Sequence, residues 1–145
     1  MDRELTPSFV YGRRVAFSDT DAMGVVHHAN YLRYCEEARV AWMRARDLSP
    51  THYPKSDCVL ALLHYQVWHF KPARFDDEIS VLLQVRNEGV RIHFQYVMIL
   101  DGERIAEAET LHVSVTVELK PTRPAAELLR RLKEEPWTET WLLNS

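Results

Sequence analysis

One stretch constrains this chain more than any other. From about Asn30 to Arg46, Tyr31, Tyr34, Cys35, Ala38, Ala41, Trp42 and Ala45 recur at intervals of 3, 1, 3, 3, 1 and 3. That spacing places all seven on one face of an α-helix but scatters them over both faces of a strand, so it predicts a long amphipathic helix. Arg33, Glu36, Glu37, Arg39 and Arg44 lie mostly off the stripe, where Arg33 with Glu37 and Glu36 with Arg39 make weak surface pairs. Asn30 is the expected N-cap, and Pro50 prevents continuation.

The sequence around this helix has a period of 2. A first strand is expected from about Val10 to Ser18, ending in the turn-forming run Asp19 to Gly24. After a polar loop from Ser49 to Asp57, Val59 to Phe70 is β-rich. Ile79, Val81, Leu83 and Val85 alternate with polar neighbours, and Asn87-Glu88-Gly89 turns the chain into Val90, Ile92, Phe94, Tyr96 and Met98. Asp101-Gly102 is a hairpin signal, and the last strand is expected from about Arg104 to Glu118, with Leu111, Val113, Val115 and Val117 on one face. A short helix follows Pro124 on the stripe Ala125, Leu128, Leu129 and Leu132, and Trp137 and Trp141 stand four apart in the tail.

Strands joined by tight turns are antiparallel neighbours, and a helix with one apolar stripe buries it on the available sheet. The expected fold is therefore α+β, an antiparallel sheet wrapped around a central helix. Such long strands leave long edges, so two copies are expected to join edge to edge.

Composition narrows the function classes. The 145 residues suit one domain, and 46% hydrophobic with 27% charged residues exclude a disordered chain. No apolar run approaches the roughly 18 residues of a membrane span. Met1 to Pro7 carries Asp2, Arg3 and Glu4 and no apolar stretch, so no secretory leader is expected. A net charge of −3 does not favour nucleic-acid binding. Cys35 and Cys58 form no C-x-x-C pair and read as free thiols in a reducing cytoplasm.

Functional groups concentrate between Phe17 and Tyr31, where strand gives way to helix. Asp19, Asp21, His27, His28 and Gly24 lie just before the helix start. Free N–H groups at a helix N-terminus stabilise an oxyanion, and a nearby carboxylate serves as base or nucleophile. The same aspartates also suit plain turn chemistry, and on residue types alone that reading is the commoner one.

The run Asp19-Thr20-Asp21-Ala22-Met23-Gly24-Val25-Val26-His27-His28-Ala29-Asn30-Tyr31, continuing through Tyr34 to Glu37-Ala38-Arg39, resembles the signature of hotdog-fold acyl-CoA thioesterases of the 4-hydroxybenzoyl-CoA thioesterase type. Phe70-Lys71-Pro72-Ala73-Arg74-Phe75-Asp76-Asp77-Glu78 is similar to that family's turn between its second and third strands, and the element order agrees over about residues 10–118. The tail, residues 122–145, lies outside the likeness. The resemblance implies a hotdog domain that hydrolyses an acyl-CoA to free acid and CoA without metal or redox cofactor, as a homodimer or homotetramer. Asp21 takes the position of the catalytic carboxylate, as nucleophile or as general base, and His28 supplies the backbone N–H that polarises the thioester carbonyl. Gly24, Val26, Asn30 and Tyr31 bend, line or brace the pocket. Val59 and Leu60, in the partner's second strand, close it.

Two departures from the family pattern bear on the pocket. Met23 stands where relatives often have a small residue, and Cys58 to Ala61 lacks a glycine. The expected cations for the CoA phosphates are Lys71, Arg74, Arg86, Arg91, Lys120 and Arg123. Two other classes compete with the thioesterase: a non-catalytic module binding acyl-CoA or acyl-carrier protein, and a metal hydrolase built on Asp19, Asp21, His27 and His28.

Overall fold

Alternating apolar residues give the sheet one face to bury, and the helix stripe supplies the matching surface. A computed structural model describes residues 5–48 and 59–143. Its strands are β1 (Phe9–Arg14), β2 (Leu60–His69), β3 (Glu78–Glu88), β4 (Arg91–Leu100) and β5 (Glu103–Ser114). Its helices are α1 (Ala29–Ala45) and α2 (Ala126–Lys133). The sheet order is β1-β3-β4-β5-β2, with every pairing antiparallel. Tyr31, Tyr34, Cys35, Ala38 and Trp42 of α1 share one core with Ile79, Val81, Leu83 and Val85 of β3, Ile92, Phe94, Tyr96 and Met98 of β4, and Ala106 and Ala108 of β5. This is the expected hotdog arrangement. Among the described residues no helix is long and apolar enough to cross a membrane.

One chain of hydrogen bonds links polar groups inside this core. Arg39 reaches across to the Tyr96 hydroxyl at 3.1 Å, which bonds Thr110 at 2.7 Å, and Thr110 bonds His112 Nε2 at 2.9 Å. Burial, and then the Arg39 charge, press the His112 imidazole down to about 3, so it stays neutral. Burial pushes the free Cys35 thiol up to about 12, which leaves it unreactive.

The tail crosses to the other side of the sheet. Leu128 and Leu132 of α2 join the main core, and Glu135 accepts from Trp42 Nε1 at 3.1 Å and Arg46 Nε at 2.7 Å. Beyond it, Thr138 and Gln84 exchange two hydrogen bonds, of 2.9 and 3.0 Å. Trp141 and Leu142 pack on Val97, with Trp68, Leu82 and Ile99 around them.

Several expected boundaries move. The first strand stops at Arg14, not Ser18, because Asp19 Oδ2 takes the Ala16 N–H at 2.9 Å and curls Phe17–Asp19 into a 3-10 turn. The residue capping α1 is His28, since the Asn30 side chain donates instead to the Asp19 carbonyl at 2.7 Å. Met43 is buried while Ala45 is exposed, and Arg39 goes to Tyr96 instead of pairing with Glu36. β5 ends at Ser114, not Glu118: Val115 bridges Pro121 around a turn in which Leu119 has φ +64°. The hairpin at Asp101-Gly102 is as expected, with φ of +51° and +77°, the left-handed pair of a type I′ turn. Pro50, the polar loop through Asp57, and Cys58 lie outside the described residues.

β2 is an edge strand. Leu62, Leu63 and Tyr65 are exposed along it, with a register shift between Leu62 and His64.

Candidate active site

The loop from β1 into α1 is held by one carboxylate. Asp19 is 1% exposed and accepts from the Ala16 N–H, from the Tyr34 hydroxyl at 2.8 Å, from Arg13 at 3.1 Å and from Arg33. Burial alone would raise its pKa, but the Ala16 and Tyr34 hydrogen bonds and the two guanidinium charges outweigh that and hold it below the usual value. Its backbone carbonyl takes the His27 N–H at 2.9 Å as well as Asn30. The side chain and the carbonyl of one residue thus anchor both the strand end and the helix start.

Two residues on, Asp21 is placed differently. Its N–H bonds the Val25 carbonyl and its carbonyl takes the Gly24 N–H, both at 2.9 Å. The tight turn needs Gly24 at φ +79°. One carboxylate oxygen accepts the Met23 N–H at 2.8 Å, and the side chain makes no other hydrogen bond among the described residues. Met23 is 81% exposed.

At the helix start most groups are committed and three are not. The Ala29 N–H bonds His27 Nδ1 at 3.1 Å, and the Asn30 and Tyr31 N–H groups bond the His27 and His28 carbonyls. The His28 N–H, the His28 ring and the His69 ring make no hydrogen bond among the described residues. The His28 ring stacks on His27 with centroids 4.2 Å apart. His69, the last residue of β2, meets Tyr31 edge to face at 4.7 Å. Burial, and then the neighbouring His28, push the His69 imidazole below its ordinary value.

His28 and His69 line two hollows. The larger, ≈ 510 Å³, lies between the start of α1 and the end of β2 and is lined by Ala29, Leu32, Tyr65 and Val67 with His28 and His69. The smaller, ≈ 280 Å³, is lined by Val26, Tyr31, Phe70 and Lys71 with the same two histidines.

The structure therefore brings His28, Val26 and Tyr31 together. Asn30 is a brace. Asp21 and Gly24 sit on the loop just before Val26 and line neither hollow. Val59 and Leu60 lie at the opposite end of β2 from His69, at about 3.3 Å per residue roughly 30 Å away within one chain. Of the expected phosphate-binding cations, Lys71 lines the smaller hollow and pairs with Glu103, and Arg74 is tied to the loop through the Val25 bridge. Arg86 is engaged by Glu88, Glu139 and the Trp137 ring. Arg91, Lys120 and Arg123 are at the Leu60 end of the sheet. His69 was not among the sequence candidates: its role depends on β2 ending beside the first turn of α1, and strand periodicity carries no sign of that. No three His, Cys, Asp or Glu side chains converge to hold a metal ion among the described residues, and Asp19 is already held by two arginines.

The sequence profile of the thioesterase-like superfamily matches residues 15–132, which takes in the loop after β1, α1, strands β2 to β5 and most of α2. The chain belongs to that superfamily. It is 30% identical over 142 residues to a 1,4-dihydroxy-2-naphthoyl-CoA hydrolase of Trichodesmium erythraeum, covering 94% of this chain and 96% of that one. It is 28% identical to the acyl-CoA thioester hydrolase YbgC of Escherichia coli, over 89% of this chain and 98% of the relative. The crystal structure of a 1,4-dihydroxy-2-naphthoyl-CoA thioesterase from Synechocystis superposes with a TM-score of 0.80 at 27% identity, covering 87% of this chain and 96% of that one. The activity class of this superfamily member is thioester hydrolysis.

Proposed function

We propose that the protein hydrolyses acyl-CoA thioesters, with the carbonyl at the start of α1. The observation that carries this reading is that His28, whose N–H is uncommitted among the described residues, lines both hollows. A donor of this kind, fixed in place before substrate arrives, stabilises the negative charge that grows on a thioester oxygen under attack. Asp21, on the turn that Gly24 permits just before Val26, is the attacking or water-activating carboxylate. Val26 and Tyr31 line the site, and Asn30 keeps the helix start in place. No metal or redox group takes part. The names of the relatives favour an aromatic acyl group, and the ring-lined hollow beside Tyr65 suits one. Acyl-CoA chemistry and the free Cys35 thiol fit a cytoplasmic enzyme.

Turnover of a panel of aromatic and aliphatic acyl-CoAs, followed by free-thiol release, tests the reading. Release from an aromatic member is expected. Saturable binding of the whole panel without any thiol release would support the non-catalytic binding module instead.

The site is completed by a second copy. The unpaired β2 edge with Leu62, Leu63 and Tyr65 exposed is the joining surface, and antiparallel pairing of two such edges carries Val59 and Leu60 of one chain toward His69 of the other. Light scattering is expected to give the mass of at least two chains, and Leu63→Asp to shift it toward one. A wild-type mass of one chain at micromolar concentration would sink the two-chain site.

A further inference from the structure

His28 and His69 are the two residues shared by both hollows, so they form the waist between them. They approach it from different elements, His28 from the start of α1 and His69 from the end of β2. Tyr31 holds the His69 ring edge to face, at an interplanar angle of 83°. Three of the other described histidines have ring nitrogens in use, His27 on the Ala29 N–H, His93 on Glu88 and Glu109, and His112 on Thr110, while the rings of His28 and His64 make no hydrogen bond among the described residues. Both nitrogens of His69 are uncommitted among the described residues. His69 is exposed and its ring rests edge-on against Tyr31, so its hydrogen-bonding atoms are unused by the protein and available to a ligand in the hollows it lines.

The chemistry of the two hollows orients a thioester across this waist. The larger is lined by Ala29, Leu32, Tyr65 and Val67 and suits an acyl group. The smaller carries Lys71 and suits the CoA arm, whose phosphates need a cation. The carbonyl oxygen goes to the His28 N–H on the helix side. The sulfur, first atom of the CoA arm, then lies at the mouth of the smaller hollow, on the sheet side, beside His69.

We propose that His69 is a catalytic residue that donates a hydrogen bond to the thioester sulfur as the carbon–sulfur bond breaks. This rests on the acyl-CoA thioesterase reading above. An oxygen nucleophile forms the new bond to the carbonyl carbon. The carbon–sulfur bond then breaks, and its electron pair leaves on sulfur. The thiolate is stabilised by the imidazole N–H and takes its proton from water, while the acid product gives its own proton to solvent. His69 keeps its proton throughout, so the step is the same whether Asp21 attacks or activates water. The depressed imidazole stays neutral at neutral pH, with one N–H to donate.

Dependence on the leaving group tests this. The kcat/KM of wild type, His69→Phe and His69→Gln is measured on an acyl-CoA and on the same acyl group esterified to thionitrobenzoate, whose thiolate needs little help to depart. His69→Phe is expected to lower turnover of the acyl-CoA by roughly 10- to 100-fold and of the thionitrobenzoate ester by less than about threefold. His69→Gln, which keeps an N–H donor, is expected to recover most of the acyl-CoA rate, and it preserves the test should the phenylalanine variant misfold. Equal losses on both esters, or no loss on either, overturn the role of His69 and leave the thioesterase reading intact. Failure of the wild-type chain to release thiol from any acyl-CoA overturns both.

Discussion

Asp21→Asn is expected to lower kcat on an acyl-CoA by roughly 10²- to 10⁴-fold, with KM and oligomeric mass little changed. The prediction is sharp because the substitution is nearly silent for the fold. Among the described residues the only side-chain hydrogen bond made by Asp21 is the one it accepts from the Met23 N–H, and an asparagine carbonyl oxygen accepts it equally well. The turn itself is closed by backbone bonds to Val25 and Gly24. What disappears is the negative charge and the basicity of one oxygen. A carboxylate that attacks a carbonyl or accepts a proton from water cannot be replaced in that task by an amide. Activity within threefold of wild type would remove Asp21 from the mechanism. Single-turnover hydrolysis in ¹⁸O-labelled water then tests the nucleophilic role: label found in the Asp21 carboxylate marks an aspartyl anhydride opened by water at the aspartyl carbon.

Asp19 and Asp21 show where sequence reading stops. Both are aspartates in one turn-rich run ahead of a helix, and composition treats them alike. The difference appears only when Arg13 on β1 and Arg33 and Tyr34 on α1 converge on the first of them. The helix stripe was legible because seven apolar side chains at helical spacing leave no other solution, and the β3-β4-β5 meander followed from turns too short for anything but antiparallel neighbours; the pairings of β1 with β3 and of β2 with β5 did not, since the short turn after β2 leads into a strand that β2 does not touch in the sheet. The type I′ turn at Asp101-Gly102 was legible because both residues tolerate a positive φ. The end of β5 was not, since the apolar alternation through Val115 and Val117 runs past the point where Leu119 and Pro121 reverse the chain. The tail was hidden for a related reason. Trp141 is buried by Val97, Leu82 and Trp68, drawn from three strands far apart in sequence. His69 belongs to the same class, a residue given its setting entirely by the meeting of two elements.

Asp19→Ala is expected to cost about 2–4 kcal/mol of folding stability at pH 7. Four donors lose their acceptor at once, but not all at equal cost. The side chains of Arg13 and Arg33 are 21% and 47% exposed, so they recover much of their hydration, and their share is discounted accordingly. The Tyr34 hydroxyl, on a side chain buried completely, has no such recourse. At this chain length the loss corresponds to a melting temperature lower by about 5–15 °C. The pH dependence follows from the depressed carboxyl. A group whose folded pKa lies below its unfolded value of about 3.9 stabilises fully above that value and loses its contribution as pH falls toward the folded one. Thermal melts at pH 7 and pH 3 are therefore expected to show a wide gap between wild type and variant that narrows in acid. A loss below about 0.5 kcal/mol at pH 7, or a gap independent of pH, would show that the four contacts do not act together. Because the same residue's carbonyl holds His27 and Asn30, the damage reaches the helix start, and thiol release from a still-folded Asp19→Ala protein falls with it.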